Sequence, residues 1–355
     1  MPNMKKIKNI LWVAIAVFTI SSCSKSEENV SLTQETVEIT VENFVRKASL
    51  RNQEIPFTLT NEAGDNINDI ATFYVNGEAI DGAVFSSAEV GAFEVYAEYE
   101  ENGAPVSTTP ETFEVIIPKR KVVLEDYTGT WCGFCPRVAE AIEKALDETD
   151  HLAVVAIHEG VNSDPDPMDF IDMPILRDAF FEPGAGLPQA RIDRTTVWSN
   201  PQPIDDIVAV AGEQTNVALS INSTLNGDQL ITEINVVSED GIVDGDKIVV
   251  YLLESGIVYK QTNYYNTDTN SIYFGRGDPI LDFVHNDALR ISMSQVLGDD
   301  VTPTGALEEF SKTYNTTIPA DYNTANLSIV AMLVREDNSA RNAQHAHIQE
   351  NKSYE

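Results

Sequence analysis

The stretch WCGFCP at residues 131–136 decides how the central part of this chain folds and what chemistry it can perform. Cys132 and Cys135 are separated by two residues, so they reach each other across the first turn of a helix and readily close a reversible disulfide. The only other cysteine is Cys23, whose neighbours are typical of a lipid attachment site. The pair therefore has no competing partner within the chain.

A buried strand is predicted before the pair and an amphipathic helix after it. Residues 122–127 are largely apolar, and apolar residues recur at helical spacing from Val138 to Leu146. The chain continues with a strand, a helix, a strand and a further helix, predicted at residues 152–157, 174–181, 189–193 and 204–213. This alternation predicts an α/β domain with a partly parallel sheet over residues 119–214.

The position of Cys132 predicts its reactivity. Unpaired backbone N–H groups and the macrodipole at the start of a helix favour a thiolate, and such a setting lowers the pKa of a cysteine from about 8.5 to roughly 7 or below. Cys132 is therefore the predicted attacking sulfur, and Cys135 is the predicted resolving sulfur.

Two further residues are candidates for the site. Asp126 lies on the predicted strand before the pair, where a buried carboxylate can take or give a proton during exchange. The alternative is an exposed carboxylate at the end of the strand. Leu187-Pro188 follows a glycine and opens a strand, which is a plausible place for a cis peptide bond. Taken alone, Pro188 is an ordinary loop residue.

From residue 119 to about residue 213 the chain resembles a thioredoxin-like domain. In that family a tryptophan precedes the Cys-x-x-Cys pair and a carboxylate lies on the preceding strand. A distant cis-proline loop packs against the disulfide and receives the extended backbone of the substrate. The residues that match these positions are Trp131, Cys132, Cys135, Asp126 and Pro188. The resemblance implies thiol-disulfide exchange at these residues.

The segment also departs from the family pattern. Gly133-Phe134 replaces the usual Gly-Pro between the cysteines, Pro136 follows the second cysteine, and the insertion before Pro188 is long. Phe134 leaves the redox potential undetermined, because potentials differ widely between members of this family.

Two other uses of the pair stay open. Zinc needs four ligands in a structural site and three in a catalytic one, so His158, His285, His345 or His347 would have to complete the set. A purely structural disulfide is the second alternative, because an exported protein folds in an oxidising compartment. His158 ends a strand, where it either tunes the thiolate or is a satisfied structural residue. No cofactor is predicted.

The first 22 residues are predicted to be a lipoprotein signal peptide. Lysines precede an apolar run at residues 10–20 that is too short to span a bilayer of roughly 30 Å. The run ends in ISSC, which resembles the lipobox of bacterial lipoproteins and implies that Cys23 becomes the acylated N-terminus. The alternative is a plain secretory signal. Residues 23–35 are polar and are predicted to be a tether.

Regions rich in β-structure are predicted on both sides of the central domain. Residues 36–118 contain short alternating segments and a tight-turn signal at Asn76-Gly77, which predicts an immunoglobulin-like β-sandwich. Residues 215–355 contain several predicted strands and are expected to form a C-terminal β-sandwich. Residues 259–287 show no clear period, so an extended loop or short irregular strands are expected there.

The chain is strongly acidic, with a formal net charge of −33. Such a surface repels nucleic acid and anionic lipid headgroups, so no nucleic-acid partner is expected. Solubility outside the cell is the preferred explanation of the acidity, and bound calcium is the alternative. The candidate calcium ligands form two loose groups, Asp164, Asp166 and Asp169 in one and Asp240, Asp244 and Asp246 in the other. Neither group completes a loop motif.

The order of lipobox, sandwich, Cys-x-x-Cys domain and β-rich end, with FVHN at residues 283–286, is similar to the outer-membrane-protein-28 family of lipoproteins. The resemblance implies an outer-membrane protein held by its N-terminal lipid, on the periplasmic or the cell-surface face. The predicted function is exchange with protein thiols or disulfides. The alternative is a binding or interaction lipoprotein whose thioredoxin-like domain is a redox-inert scaffold.

Overall fold

The computed structural model describes residues 38–41, 48–61, 63–101 and 103–355. The predicted signal peptide at residues 1–22, the lipid attachment at Cys23 and the tether at residues 23–35 lie outside the described residues. The described part is mostly β-structure with three α-helices, and none of these helices is long and apolar enough to cross a bilayer.

Short alternating strands build a two-sheet sandwich in the N-terminal region. The strands are β1 (Glu38–Val41), β2 (Ala48–Leu50), β3 (Ile55–Thr60), β4 (Ala71–Val75), β5 (Glu78–Ala79), β6 (Val84–Phe85), β7 (Gly91–Glu101), β8 (Ala104–Ser107) and β9 (Glu111–Ile116). One sheet has the order β1-β3-β6 and the other β2-β9-β7-β4-β5, with β8 paired to β7. Alternate side chains of both sheets meet between them, where the rings of Phe57, Phe73 and Phe113 pack together.

The predicted tight turn in this sandwich is confirmed. Asn76 and Gly77 both have positive φ and connect β4 to β5, as a two-residue hairpin turn requires. A sandwich therefore occupies the region predicted for it, and its immunoglobulin-like topology stays a prediction.

The central region alternates strands and helices. The elements are β10 (Val122–Thr128), α1 (Pro136–Glu148), β11 (Leu152–His158), α2 (Met173–Phe180), β12 (Gln189–Ile192), β13 (Thr196–Val197) and α3 (Asp205–Val208). β10 and β11 are parallel and buried along their whole length, as continuous apolar runs predict, and β12 is antiparallel to β10. α3 is shorter than predicted: it ends at Val208, and turns follow as far as Gly212, whose N–H donates to the Arg120 carbonyl.

The C-terminal region contains strands, one short 3-10 helix at Thr324–Asn326 and the connections between them. The strands are β14 (Val217–Asn226), β15 (Gln229–Ser238), β16 (Lys247–Glu254), β17 (Ile257–Gln261), β18 (Ile280–His285), β19 (Ala288–Ser292), β20 (Asp299–Asp300), β21 (Glu309–Thr317), β22 (Leu327–Val334) and β23 (Ala340–His347).

One mixed sheet runs through the central and C-terminal regions, in the order β13-β12-β10-β11-β19-β16-β22-β23, with β20 paired to β16. β19 joins the two regions, because its Ala288 pairs in parallel with Ala156 of β11 while β19 runs antiparallel to β16. The boundary predicted between residues 214 and 215 therefore lies within a region that shares one sheet. Residues from Val37 to Glu355 cluster as one compact unit, and the division into three domains stays a prediction.

The two faces of this sheet are covered differently. One face carries α2 and buries a core that includes Val123, Tyr127 and Tyr251. On the other face, α1 and α3 cover β10 and β11, while the sheet β14-β15-β21 covers β16 and β22. The C-terminal sandwich thus uses the continuation of the central sheet as one of its two layers.

Candidate active site

The cysteine pair closes a disulfide just before α1. The two sulfurs of Cys132 and Cys135 are bonded, and their Cα atoms are 5.5 Å apart. Pro136 is the first residue of α1, where its missing N–H has no hydrogen bond to lose. Cys132 lies in the preceding turn, and its N–H donates to the Gly129 carbonyl at 3.0 Å. The helix therefore begins nearer to Cys135 than the sequence analysis predicts, because the proline determines its first residue.

Both cysteines are buried. Each is 3% exposed, although Phe134 between them is 50% exposed. The disulfide therefore lies beneath other parts of the chain, and the spacing of the cysteines did not indicate this.

Asp126 is buried on the side of β10 that faces α1. It is 4% exposed, so the interpretation as an exposed strand-end carboxylate is wrong. Its Oδ1 atom has no hydrogen-bond partner among the described residues. Burial raises the pKa of this carboxyl to about 7, because the charged form is poorly solvated there. Asp126 can therefore bind or release a proton near neutral pH.

A cavity of about 100 Å³ connects this acid with the disulfide. It lies between α1, the end of β11 and the segment that follows β18. Its lining includes Asp126, Cys135, His158, His285 and Asp287. Burial, followed by the charge of His158, lowers the pKa of His285 to about 4, while burial raises the pKa of Asp287 to about 6. The surroundings of this cavity therefore favour the neutral forms of Asp126, His285 and Asp287.

His158 is held by a buried carboxylate. Its Nδ1 lies 2.8 Å from Asp166 Oδ2, which also accepts the Thr130 N–H at 2.9 Å. Burial alone raises the pKa of Asp166, but the hydrogen bond and charge of His158 outweigh burial, and the pKa is lowered. Asp166 thus joins the end of β11 to the turn before the disulfide, and His158 is satisfied as the structural alternative expects.

Trp131 directly precedes Cys132 in the chain, and the packing of Pro188 against the disulfide stays a prediction. The Trp131 indole N–H donates to the Glu159 carbonyl at 2.7 Å. The Leu187–Pro188 peptide bond is cis, so the predicted cis-proline is confirmed. Pro188 directly precedes β12, in which Gln189 pairs with Tyr127 of β10.

The segment for which the sequence predicts an extended loop or short irregular strands covers the disulfide. β17 and β18 form an antiparallel pair, and residues 262–279 between them, here called the cap, lie over residues 129–135, here called the redox turn. Gln261, at the end of β17, is buried, and its Nε2 donates to the Cys132 carbonyl at 2.9 Å. The N–H groups of Thr262 and Tyr264 donate to the carbonyls of Thr130 and Gly133 at 2.8 and 3.0 Å.

Sequence reasoning named Asp166 only as a candidate calcium ligand, and it missed Gln261 and Tyr264 as parts of the site. For the latter two the available signal was the concentration of Asn, Asp, Tyr and Gly in residues 259–287, which indicates turns but no target for them. Their contacts with the redox turn join residues that are far apart in the chain.

The metal alternatives have little support from side-chain positions. No group of three or more His, Cys, Asp or Glu residues in the described part of the chain is placed to hold a metal ion. Among the calcium candidates, Asp164 contacts Lys260, Asp166 contacts His158, and Asp246 contacts Arg341. These carboxylates are engaged in separate ion pairs and hydrogen bonds.

The chain is similar to a known family over its C-terminal half. The family described as Outer membrane protein Omp28 matches residues 182–352. This match confirms the similarity to that family that the sequence analysis predicts. It includes β12, the cap and the C-terminal strands, and it begins after the cysteine pair.

Two individual proteins add to the comparison. A stretch of 67 residues is 36% identical to a thioredoxin of Mycolicibacterium smegmatis, which is 18% of this chain and 60% of that relative. The chain thus spans less than two thirds of the relative's length. HBP35 of Porphyromonas gingivalis has a TM-score of 0.51 at 19% identity, over 66% of this chain and 77% of that one. These similarities support a thioredoxin-like scaffold, and the structural one shows the fold alone.

Proposed function

We propose that this protein exchanges thiols and disulfides with other proteins, with Cys132 as the attacking sulfur and Cys135 as the resolving sulfur. The observation that carries the proposal is the disulfide between them at the start of α1, beside a cavity that it shares with the buried Asp126, whose Oδ1 has no hydrogen-bond partner among the described residues. Perturbed carboxylates in clefts are typical of functional sites, because a proton acceptor works best near its own pKa.

The exchange proceeds in two steps. The Cys132 thiolate attacks a partner disulfide, a new S–S bond forms, and the other partner sulfur leaves as a thiolate. The Cys135 thiolate then attacks the Cys132 sulfur, which closes the Cys132–Cys135 disulfide and releases the second partner thiolate. The partner gains two electrons and the pair loses two. The reverse sequence oxidises a partner dithiol.

Asp126 is the proposed acceptor for the proton of the Cys135 thiol. The cavity that both residues line provides the route, and a pKa of about 7 allows the carboxylate to take the proton and later release it. We expect Asp126→Asn to slow the resolution of a mixed disulfide by at least about tenfold, because general base catalysis is lost. Stopped-flow measurement of the resolving step checks this, and an unchanged rate would exclude Asp126 as the acceptor.

A trapping experiment tests the function. Cys135→Ser leaves Cys132 free to attack but removes the resolving sulfur, so mixed disulfides with partner proteins should accumulate in cells. Cys132→Ser and the double variant are matched controls that should trap none. Mass spectrometry of the trapped complexes identifies the partners. A folded Cys135→Ser variant that traps no protein contradicts the proposal.

A redox-inert scaffold is the second candidate, and the burial of both cysteines favours it. A structural disulfide has a reduction potential below about −300 mV and resists glutathione. Equilibration of the pair with glutathione buffers separates the two candidates, because an exchange protein should titrate at a higher potential. In the scaffold alternative, the protein is a surface lipoprotein that binds partners without electron transfer.

The proposed location is the outer membrane, with a lipid on Cys23 and the protein on the periplasmic or cell-surface face. The description of the matched family supports association with the outer membrane. Lipid attachment rests on the lipobox resemblance of residues 20–23. Cys23→Ala should move the protein from the membrane fraction to the soluble fraction, and retention of the variant in the membrane would contradict a lipid anchor at this residue.

A further inference from the structure

The cap contacts the redox turn through an extended piece of backbone. The N–H groups of Thr262 and Tyr264 point to the carbonyls of Thr130 and Gly133. The two donors are two residues apart, so alternate N–H groups face the same neighbour, as in a strand added to the edge of another segment. The backbone acceptors of the redox turn are therefore occupied by this chain itself.

Side chains of the cap complete the cover. The Tyr264 ring lies so close to Gly133 that a Cβ atom there would be 2.4 Å from the ring. The same ring packs edge to face against Phe134, with 5.0 Å between ring centroids. Gln261 holds the Cys132 carbonyl from the adjoining strand. The disulfide is buried as a result, with 3% of each cysteine exposed.

The cap is held together by its own hydrogen bonds. Asn263 is buried, and its side chain donates to the carbonyls of Tyr273 and Gly277 at 3.1 and 2.9 Å. Its own N–H donates to Asp278 Oδ1 at 2.9 Å. These bonds lie within the cap, so the cap can leave the redox turn as one body while they persist. The free energies of such local openings in proteins range from near zero up to that of global unfolding.

We propose that the cap occupies the place of the exchange partner. An extended polypeptide segment that carries a cysteine binds where residues 261–264 now lie, and its N–H groups donate to the carbonyls of Thr130 and Gly133. The cap must leave before the partner binds, so the cap controls access to the disulfide. This inference rests on the proposed exchange function and names the kind of partner and the regulation of that site.

Tyr264→Ala tests the inference directly. Tyr264 is 58% exposed, so its loss should leave the fold intact. An aromatic pair contributes roughly 0.5–1.5 kcal/mol, so we expect the variant's disulfide to be reduced about 2- to 10-fold faster by dithiothreitol. Its equilibrium with glutathione should change less than about 2-fold, because the cap's polar contacts are to backbone that is present in both redox states. Phe274→Ala is the matched control, since this ring is also on the cap and is 51% exposed.

Gly133→Ala provides a second, independent variant. The added methyl group collides with the Tyr264 ring and should push the cap outward, so reduction should again be faster. Combined with Tyr264→Ala, it should have little further effect, because the two substitutions act on one contact. Independent effects of the two substitutions would contradict the proposed contact.

A protein dithiol tests whether a partner's backbone replaces the cap or whether the cap only limits access to the disulfide. Reduced thioredoxin should gain more from Tyr264→Ala than dithiothreitol does, because its backbone needs the place of the cap. An equal gain overturns the claim that a partner's backbone replaces the cap. Wild-type rates in both Tyr264→Ala and Gly133→Ala overturn the gating as well. Failure of the proposed exchange function would give a different result. Cys135→Ser would then trap no protein, while the rates of reduction by dithiothreitol would still respond to the cap variants.

Discussion

β10 carries two neighbouring carboxylates that face opposite sides of one sheet and have opposite surroundings. Glu125 faces the α2 side, where Arg194 Nε donates to it at 3.0 Å and the Tyr127 hydroxyl donates to it at 2.7 Å. Glu125 and Arg194 are both fully buried. Asp126 faces the α1 side, and its Oδ1 has no partner among the described residues.

The different surroundings of Glu125 and Asp126 show that burial alone does not distinguish a carboxylate that stabilises the fold from one that can transfer a proton. A buried carboxylate with a cation and a hydroxyl beside it can stay charged and join the elements around it. A buried carboxylate without such partners destabilises the fold when it is charged, so its pKa rises. Asp126 has that property next to the disulfide, whereas Glu125 connects β10 to the turn that carries Arg194.

The largest expected effect on stability comes from breaking the buried ion pair between Glu125 and Arg194. Arg194→Met leaves the Glu125 carboxylate buried without its cation, which should lower the free energy of unfolding by about 3–5 kcal/mol. Urea denaturation at neutral pH measures it. Adding Glu125→Gln to the variant should restore part of the loss, because no buried charge then remains. A loss below about 1 kcal/mol would mean that Glu125 does not depend on this pair.

Removal of the Asp126 carboxylate should raise the free energy of unfolding, which is the opposite of the effect expected for Arg194→Met. The Asp126 carboxyl has a pKa of about 7 in the fold, raised from 3.8. As pH rises from about 4 to 7, the unfolded chain loses this proton while the folded chain keeps it, so stability falls through that window. Asp126→Asn should therefore stabilise the protein by roughly 2–4 kcal/mol at pH 8 and have almost no such effect at pH 4.

Denaturation curves of wild type and Asp126→Asn at both pH values check this prediction. The difference between the two proteins should be almost absent at pH 4 and fully present at pH 8. A variant that is less stable at pH 8 would show that the carboxylate has a stabilising partner.

A third substitution tests which property of a carboxylate near the disulfide decides its effect on stability: its hydrogen-bond partners or its location. Asp166 lies near the disulfide but accepts the N–H groups of Thr130 and Met168 and pairs with His158. Asp166→Asn should therefore destabilise the protein by about 1–3 kcal/mol at neutral pH, unlike Asp126→Asn. Thermal or urea unfolding of the two variants, measured side by side, decides between the two explanations. If both substitutions stabilise the protein, location near the disulfide is the deciding property.

The smallest effect is expected at an exposed ion pair on α1. Lys144 is 58% exposed in its side chain and pairs with Glu140 one helical turn away. Lys144→Ala should lower the free energy of unfolding by no more than about 0.5 kcal/mol, and raised salt should remove even that difference. A larger loss would mean that charge pairing without burial also stabilises this fold.

The elements that sequence analysis predicted well are those with a strong local pattern. β11 and β22 are apolar runs and β10 is largely apolar, and the structure buries all three completely. The turn at Asn76-Gly77 was also predicted from local residue types, whereas the cis bond before Pro188 was predicted with the thioredoxin-like resemblance. Local pattern suffices here because each element's own residues decide its conformation.

Elements whose burial depends on distant partners were missed. β23 has a polar sequence, yet Asn342 and Gln344 are buried in it. Asn342 accepts the Lys121 N–H and donates to the Val217 carbonyl, and Gln344 donates to the Ser353 carbonyl. A search for alternating apolar residues does not detect such a strand, because its buried side chains are polar and form hydrogen bonds with other parts of the chain.

The sequence by itself determined that Cys132 and Cys135 can bond, since two intervening residues bring their sulfurs within reach in one turn. It also determined that a buried strand precedes them and a helix follows. Only the tertiary structure decided that Asp126 is buried, with an Oδ1 that no described residue hydrogen-bonds, and that the cap covers the disulfide. Both facts depend on which distant segments pack against the redox turn, because solvation and access are properties of surroundings that no local pattern specifies.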